Sequence, residues 1–370
     1  MSSIKELPEY VAYKLCRLLD ENVATLDPLN LNTFFASQFS ALSEKGNTRE
    51  LVEALQTHIT AIGYEKIIAL SDSNAMAATR DLAMFASAFA RWQIPVGDVL
   101  GLERLLISLA QKTQEIPADT VFSYGSRNPQ GKIRRQFTTL PQESVFIDSF
   151  TAGMRDLPVC LAGLEHVKSM ELNDPVYPVI IAEAQAGFMA MLRQMMIVRT
   201  AIPPEMFTGK LRPFFDPKII GGRRYFAPGG AQMPITVIDL VLWGSEDTSA
   251  NYSRYWNDNV QYLPRAMRSK IDGMLRGHSL SSGGEYACKK RGSATSRVAI
   301  RASIDALINL LMEIDKFRAV HLGVARANMR IRPESSVGSG GYEVDILEYL
   351  LDRTRAAKTR LVEAKKRIAD

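Results

Sequence analysis

Residues 297–330 read RVAIRASIDALINLLMEIDKFRAVHLGVARANMR. Apolar side chains recur in this stretch at steps of three or four residues, which is the period of one face of an α-helix. The members of this stripe are Ile300, Ile304, Leu307, Leu311, Ile314, Phe317, His321 and Val324. The sequence therefore predicts one long helix here, with His321 on the face that turns to the core.

The rest of the chain has the same helical character. Three-to-four spacing of apolar residues recurs from Leu102 to Leu109 and from Val179 to Leu192, whereas alternating strand patterns are scarce. Proline and glycine clusters interrupt the helical patterns. We predict an all-α fold with a smaller helical domain, residues 1–135, and a larger helical domain, residues 136–370.

One interruption, residues 276–296, reads RGHSLSSGGEYACKKRGSATS. Its residues are small and polar, and it lies between two predicted helices. A mobile lid and an ordinary surface loop both fit this composition, and the ordinary loop is slightly favoured.

Composition indicates a globular protein in a reducing compartment. Of the 370 residues, 46% are apolar, which is ample for a large core. The three cysteines, Cys16, Cys160 and Cys288, lie far apart and form no CxxC motif. The amino terminus has no apolar signal core, and charged residues interrupt the apolar stretch 175–198. We expect a cytoplasmic protein with no membrane partner.

The formal net charge of +5 is concentrated at one place. Residues 353–367 hold seven arginines and lysines against one acid, Glu363. No aromatic residues are interleaved with these charges, as they usually are where a protein binds nucleic acid. A solvated helix face is therefore favoured over a nucleic-acid partner.

Histidine is the residue type that decides whether a metal site is plausible. The chain has four, His58, His166, His278 and His321, and no pair has HExxH or i, i+4 spacing. A non-haem metal site is therefore not expected. A lone histidine on a core face is more often a hydrogen-bonded structural residue, and the alternative for His321 is that it faces a cofactor cavity.

A glycine-rich segment, GSGGY at residues 338–342, precedes a further amphipathic pattern. Glycines before a helix expose backbone N–H groups, which can hold a phosphate or a carboxylate. Most such segments are only turns, and both interpretations remain open on these residues alone.

A third segment, residues 203–243, contains an arginine among phenylalanines. Arg212 follows Phe207 by five residues and precedes Phe214 and Phe215. A guanidinium buried among these rings requires a planar anion such as a carboxylate. The alternative is a structural ion pair or an exposed guanidinium, and on this segment alone that alternative is the preferred interpretation.

Taken together, the three segments resemble the indoleamine and tryptophan dioxygenase haem superfamily, in its monodechloroaminopyrrolnitrin synthase branch. The motifs that carry the resemblance are FRAVHL (317–322), MFTGKLRPFFDP (206–217), RRYFAPGGAQMP (223–234) and GSGGY (338–342). The resemblance extends to the amino-terminal half through SRNP (126–129) and FTTLPQES (137–144). It implies an indoleamine-dioxygenase-like, all-α fold with a large haem domain.

The resemblance also implies roles for individual residues. His321 would be the proximal ligand of the haem iron, with Arg318 beside a haem propionate. Arg212 would bind the carboxylate of an aromatic amino acid, and Phe207 would form a wall of its pocket. The absence of CxxCH indicates a noncovalently bound haem b.

Further residues are implied around the substrate. Ser339 would face the substrate ammonium, with Gly340 and Gly341 close by. A second group would form the roof above the iron, where no distal histidine is evident: Phe122, Tyr124, Gly125 and Ser149.

The implied activity is oxidation of tryptophan or a halogenated tryptophan derivative in specialised-metabolite biosynthesis. Dioxygen and peroxide both remain open as the oxidant, with an external reductant as a further partner. Ring opening, oxidative rearrangement and tyrosine-type aromatic hydroxylation remain open as the reaction. The rival classes are a haem carrier or sensor without turnover and a cofactor-free helical interaction module.

Overall fold

A computed structural model of the chain describes residues 3–229, 234–289, 293–331 and 337–368. Most of these residues are helical, which confirms the all-α prediction. The only strands among them are β1 (Lys218–Ile220) and β2 (Arg223–Tyr225), which pair as a short antiparallel hairpin.

Helices of nine or more residues form the body of this described part. They are α1 (Pro8–Thr25), α2 (Thr48–Ile62), α3 (Asp72–Arg91), α4 (Leu102–Thr113), α5 (Pro141–Met154), α6 (Leu157–Val167), α7 (Tyr177–Ala201), α8 (Pro234–Leu242), α9 (Ala250–Val260), α10 (Leu280–Lys289), α11 (Ala294–Ile331) and α12 (Asp345–Lys366). Shorter helical segments connect them: Ile4–Glu6, Asn32–Phe34, Phe35–Phe39, Ser40–Lys45, Tyr64–Ile68, Val96–Asp98, Val121–Ser126, Gly131–Ile133, Pro204–Met206, Phe207–Leu211, Arg212–Phe215, Gly244–Glu246, Arg265–Arg268 and Ile271–Leu275.

The long helix predicted from residues 297–330 is confirmed as α11. Its buried face includes Ile304, Leu311 and Phe317, which packs edge-on against Phe188 of α7. Helices α7 and α12 both pack along α11. The amphipathic pattern after residue 342 is likewise confirmed as α12.

The basic end of α12 is partly neutralised by acids on neighbouring helices. Arg355 and Lys358 both pair with Asp315 of α11, at 3.0 and 2.6 Å. Arg360 pairs with Glu285 of α10 at 2.8 Å. The predicted solvated face is therefore also a face that holds α12 against its neighbours.

The prediction of a surface loop over residues 276–296 is wrong for residues 280–289, which form α10, and for residues 294–296, which begin α11. Gly284 explains how a glycine-containing segment becomes a packed helix. A Cβ atom there would lie 2.7 Å from Leu361 of α12, so only glycine allows the two helices to approach so closely. Residues 290–292 of the same prediction lie outside the described residues.

Buried apolar side chains form two large clusters. One is centred on α6, α7, α8, α11 and α12, and it includes Tyr13 of α1. The other is centred on α3 and α4, and it includes Phe137, Phe214 and Phe215. Phe150 of α5 packs against both clusters. The division of the chain near residue 135 stays a prediction.

In the described ranges, no helix is both long enough and apolar enough to cross a membrane.

Candidate functional site

His321 lies on α11 with a half-buried imidazole ring, one helical turn after Phe317, whose ring centre is 5.8 Å away. Its ring makes no hydrogen bond with any residue that the structure describes. Burial, followed by the nearby charge of Arg318, lowers the pKa of His321 to about 4. The ring is therefore neutral near pH 7, which is the form that binds a metal ion.

The other three histidines have different surroundings. His166 lies 3.4 Å from the Glu9 carboxylate, and His278 lies 3.0 Å from that of Glu246. His58 contacts the ring of Phe34, with ring centres 6.3 Å apart. Among the described residues, His166 and His278 therefore have acidic partners, whereas His58 and His321 have ring contacts only.

Arg318 lies three residues before His321 and forms a buried ion pair with Asp239 of α8. Only 6% of Arg318 and 1% of Asp239 is exposed, so this pair is shielded from solvent. The Nε of Arg318 and the Oδ1 of Asp239 nevertheless have no partner in the described part of the chain. Burial raises the pKa of Asp239, and the Arg318 guanidinium opposes that rise.

Sequence reasoning missed Asp239. It is the single acid in the apolar helix PITVIDLVL, and an isolated acid on such a helix was the available signal. Its partner lies 79 residues further along the chain, so the pair itself could not be read from local spacing.

Arg212 begins the short helical turn Arg212–Phe215 and is 7% exposed. Its Nη1 donates to the Asp216 carboxylate at 2.6 Å, so the structural ion pair considered above is present. Its Nη2 donates to the carbonyl of Val337 at 3.3 Å. Val337 immediately precedes the GSGGY segment, so two predicted substrate segments meet at this guanidinium.

The glycine segment is a tight turn that leads into α12. Gly338 donates to the Tyr342 carbonyl at 2.8 Å, and Gly341 donates to the Gly338 carbonyl at 3.0 Å. Gly341 has φ +82°, and a Cβ atom there would lie 2.5 Å from the Phe226 ring. Both facts require glycine at this position.

The same turn is tied to the stretch RRYFAP. The Ser339 carbonyl accepts a hydrogen bond of 2.9 Å from the Ala227 amide, while a Cβ on Gly340 would contact Pro228 at 3.6 Å. Because Ser339 is fixed through its main chain, its hydroxyl is not needed to hold the turn. Ser339 and Gly340 are both half-buried.

Aromatic rings connect Phe207 with Phe122. Phe207 contacts Phe146 at a ring-centre distance of 5.7 Å, Phe146 contacts Phe150 at 6.4 Å, and Phe150 contacts Phe122 at 6.5 Å. Gly125 is also against Phe150, where a Cβ would lie 2.5 Å from the ring. Three residues predicted for the substrate pocket thus converge on two rings of α5 that sequence reasoning missed.

Tyr124 and Ser149 occupy more enclosed positions. The Tyr124 hydroxyl donates to the buried Glu143 carboxylate, and its ring stacks on Phe137 at 5.2 Å. Glu143 also accepts hydrogen bonds from the amides of Phe137 and Thr138 at 2.6 and 2.7 Å, and burial raises its pKa to about 7. Ser149 lies buried on α5.

A helix contact and a row of aromatic rings connect the region of His321 and Arg318 with the predicted substrate residues. Helix α11 packs against the turns Pro204–Met206 and Phe207–Leu211, which carry the predicted pocket wall. A row of rings also leads from α8 to the glycine turn, with centre distances of 5.1, 6.3 and 5.6 Å. The members of this row are Trp243, Tyr252, Tyr255 and Tyr342.

A cavity of about 380 Å³ lies elsewhere, between the α6–α7 connection, α10 and the start of α11. Its lining includes Lys168, Tyr177, His278 and Tyr286 but none of the predicted site residues. The candidate site is therefore the region around Arg212, the glycine turn and α11, and not this cavity.

A family model described as monodechloroaminopyrrolnitrin synthase PrnB matches residues 14–370. This match includes every residue predicted for the site.

Proposed function

The chain belongs to the monodechloroaminopyrrolnitrin synthase family, and from this premise we propose that it is a haem b-dependent oxidoreductase of specialised metabolism. Its substrate is tryptophan or a halogenated tryptophan derivative. Under this proposal the enzyme is an indoleamine-dioxygenase-like protein in the cytoplasm, with an external reductant as its partner.

One observation carries the proposal. The Arg212 guanidinium is buried and is hydrogen-bonded to the carbonyl that precedes the glycine turn, although the two segments are 125 residues apart in sequence. A cation able to bind a carboxylate and a turn that carries the Ser339 hydroxyl, whose oxygen can accept from an ammonium group, are thus brought together, as recognition of an amino acid requires.

The residues on α11 fit a haem group. His321 has a neutral imidazole without a hydrogen-bond partner in the described residues, so its nitrogen is available to iron. Arg318 lies one turn away and has a buried Nε with no partner among the described residues, and a propionate could accept from it. Haem would supply the oxidation chemistry with dioxygen or peroxide.

The remaining residues would orient the substrate. Arg212 would bind its carboxylate, and the Ser339 hydroxyl would face its ammonium group beside Gly340 and Gly341. Phe207 would line the indole pocket. The roof would consist of Phe122, Tyr124, Gly125 and Ser149. Fixing both ends of the amino acid would present its ring in one orientation, which lowers the entropic part of the barrier.

The test begins with the purified full-length protein, expressed with a haem supply. We expect a Soret band that shifts when tryptophan is added, and products detectable by mass spectrometry after reduction and exposure to air. His321→Ala should lose the haem or its normal spectrum, whereas His278→Ala, at a histidine paired with Glu246, should keep both. Normal haem binding by His321→Ala would refute the ligand assignment, and a wild-type protein without haem would refute the proposed function.

A further inference from the structure

Lys218 is a buried cation next to the turn that carries Arg212. It begins β1 and is only 3% exposed. Its ammonium group donates to the main-chain carbonyls of Phe214 and Asp216, at 3.4 and 3.5 Å. Within the described ranges, no carboxylate is close enough to form an ion pair with it. An ammonium group buried without a carboxylate is unfavourable for folding, and buried groups of this kind are often found at functional sites.

The charged groups that face Lys218 are Asp119, Asp216 and Arg212. Burial lowers the pKa of Lys218 to about 8, the two acids oppose this change and Arg212 adds to it. Asp119 is buried, with one oxygen bonded to the Ser123 hydroxyl at 2.6 Å and the other without a partner in the described residues. Burial raises the pKa of Asp119 to about 6, so both this acid and Lys218 are charged near pH 7.

The attraction of Arg212 for a ligand carboxylate depends on the charged groups around its guanidinium. Asp216 neutralises the guanidinium through a contact of 2.6 Å, so the pair alone attracts a second carboxylate only weakly. A further positive charge beside the pair would restore the attraction, provided that the Asp119 charge lies farther away, and Asp119 bonds to Ser123 and Thr120 and not to the Arg212 turn. Lys218 is bonded to the carbonyl of Asp216 itself, which places that charge beside the pair.

We propose that Lys218 is a second cation of the substrate-carboxylate site, acting through space to offset Asp216 and to select amino acids over the corresponding amines. The inference rests on the proposed function, in which Arg212 binds that carboxylate. Lys218 is a specificity residue here, since its own hydrogen bonds go to the main chain. At an effective dielectric constant of about 20, a second unit charge near a ligand carboxylate changes an affinity on the order of tenfold or more.

The experiment compares tryptophan with tryptamine, which lacks the carboxylate. Both are titrated against the haem spectrum of the loaded, full-length protein and of its Lys218→Met variant. We expect Lys218→Met to weaken tryptophan about tenfold and to leave tryptamine unchanged, because only tryptophan carries the charge that Lys218 attracts. The matched control is Lys168→Met, because Lys168 is a half-buried lysine that, like Lys218, donates to a main-chain carbonyl, that of Met274. Lys168→Met should change neither affinity.

A pH series separates this role from a purely structural one. Lys218 loses its charge as the pH rises through about 8, so the preference of the wild type for tryptophan over tryptamine should fall across that range. Lys218→Met should lack this step because it has no group to titrate. Lys218→Arg should keep the preference and lose the step, since arginine stays charged.

Several outcomes would overturn the inference. One is an equal loss of tryptophan and tryptamine in Lys218→Met, and another is an unchanged preference in that variant. If Lys218→Met folds poorly, Lys218→Gln keeps a donor for the two carbonyls and tests the charge alone. If the wild type binds haem but Arg212→Ala leaves the tryptophan preference intact, the carboxylate anchor of the proposed function has failed instead.

Discussion

Two arginine–aspartate pairs contain arginines predicted for the site, and they differ in sequence separation and in burial. Arg212 and Asp216 are four residues apart, and 37% of the Asp216 side chain is exposed. Arg318 and Asp239 are 79 residues apart, and only 1% of the Asp239 side chain is exposed. The first pair is therefore local and open to solvent on one side, whereas the second joins two helices inside the core.

The difference indicates what each arginine can do. The Asp216 carboxylate can move into water at little cost, so Arg212 can take a ligand carboxylate in its place or beside it. Asp239 has no such alternative, because an unpaired carboxylate inside the protein is strongly unfavourable. Arg318 is consequently held in one place beside His321, as a residue that supports a cofactor should be.

The largest effect is expected when the Arg318–Asp239 pair is broken. Asp239→Ala leaves the Arg318 guanidinium buried without a counter-charge, which should lower the free energy of unfolding by about 3–5 kcal/mol. Urea denaturation of the wild type and the variant measures this difference. A loss below about 1 kcal/mol would mean that the pair behaves like a surface ion pair, and the inferred difference between the two pairs would be wrong.

The second largest effect is expected on substrate affinity, when Arg212 of the Arg212–Asp216 pair is removed. Arg212→Ala should weaken tryptophan binding by about 2–5 kcal/mol, or roughly 30-fold to several thousand-fold, because the ligand carboxylate loses its charged partner. Haem content should stay near normal. Arg212→Lys should restore only part of the affinity, since a point charge lacks the two-pronged contact. Equal weakening of tryptamine would assign Arg212 to shaping the pocket.

The cofactor side of the comparison is tested by haem retention. Arg318→Ala combined with Asp239→Asn removes the arginine without leaving a buried charge. We expect this double variant to hold haem about 1–3 kcal/mol more weakly, the range for one hydrogen bond to a charged group. Transfer of haem to apomyoglobin measures the effect, with Arg212→Ala as the control that should transfer haem at the wild-type rate. Equal rates in all three proteins would contradict a propionate contact.

Sequence alone predicted those parts of the molecule that depend on local spacing. The apolar period of α11, the helix after the glycine turn and the all-α class follow from residues three or four apart, and all three are confirmed. The meeting of Arg212 with the glycine turn was implied only by the resemblance, because no local pattern relates residues 125 apart.

What the sequence could not predict depends on how the helices pack. Asp239, Phe146 and Phe150 acquire their surroundings from elements far away in the chain. Helix α10 was missed because its glycines suggested a loop, whereas one of them, Gly284, packs closely on Leu361 of α12. The roles of His321, Arg318 and Arg212 stay predictions that the variants above test.

A smaller effect is expected at the glycine turn. Ser339→Ala removes the hydroxyl proposed to face the substrate ammonium, while the Ala227 amide still bonds to the residue 339 carbonyl. The loss in tryptophan affinity should be about 0.5–2 kcal/mol, well below that of Arg212→Ala. Titration against the haem spectrum measures it, and indole-3-propionate, which lacks the ammonium group, should bind the variant and the wild type equally. A loss that matches Arg212→Ala would mean that the turn itself has been disturbed.

The smallest effect on stability, and the sharpest contrast with Asp239, is expected from Asp216→Asn. More than a third of the Asp216 side chain is exposed, so water can hydrogen-bond to Arg212 in place of the lost carboxylate. The free energy of unfolding should therefore change by less than about 1 kcal/mol. Tryptophan affinity should stay the same or rise a few-fold, since a negative charge next to the ligand carboxylate has gone while Arg212 and Lys218 remain. Asp148→Asn is the control, because its pair with Arg134 has the same 2.6 Å contact and a side chain that is 55% exposed. That control should leave tryptophan affinity unchanged. Should Asp216→Asn instead weaken tryptophan and destabilise the protein as Asp239→Ala does, Asp216 would be a fixed support of Arg212, and the two pairs would be alike.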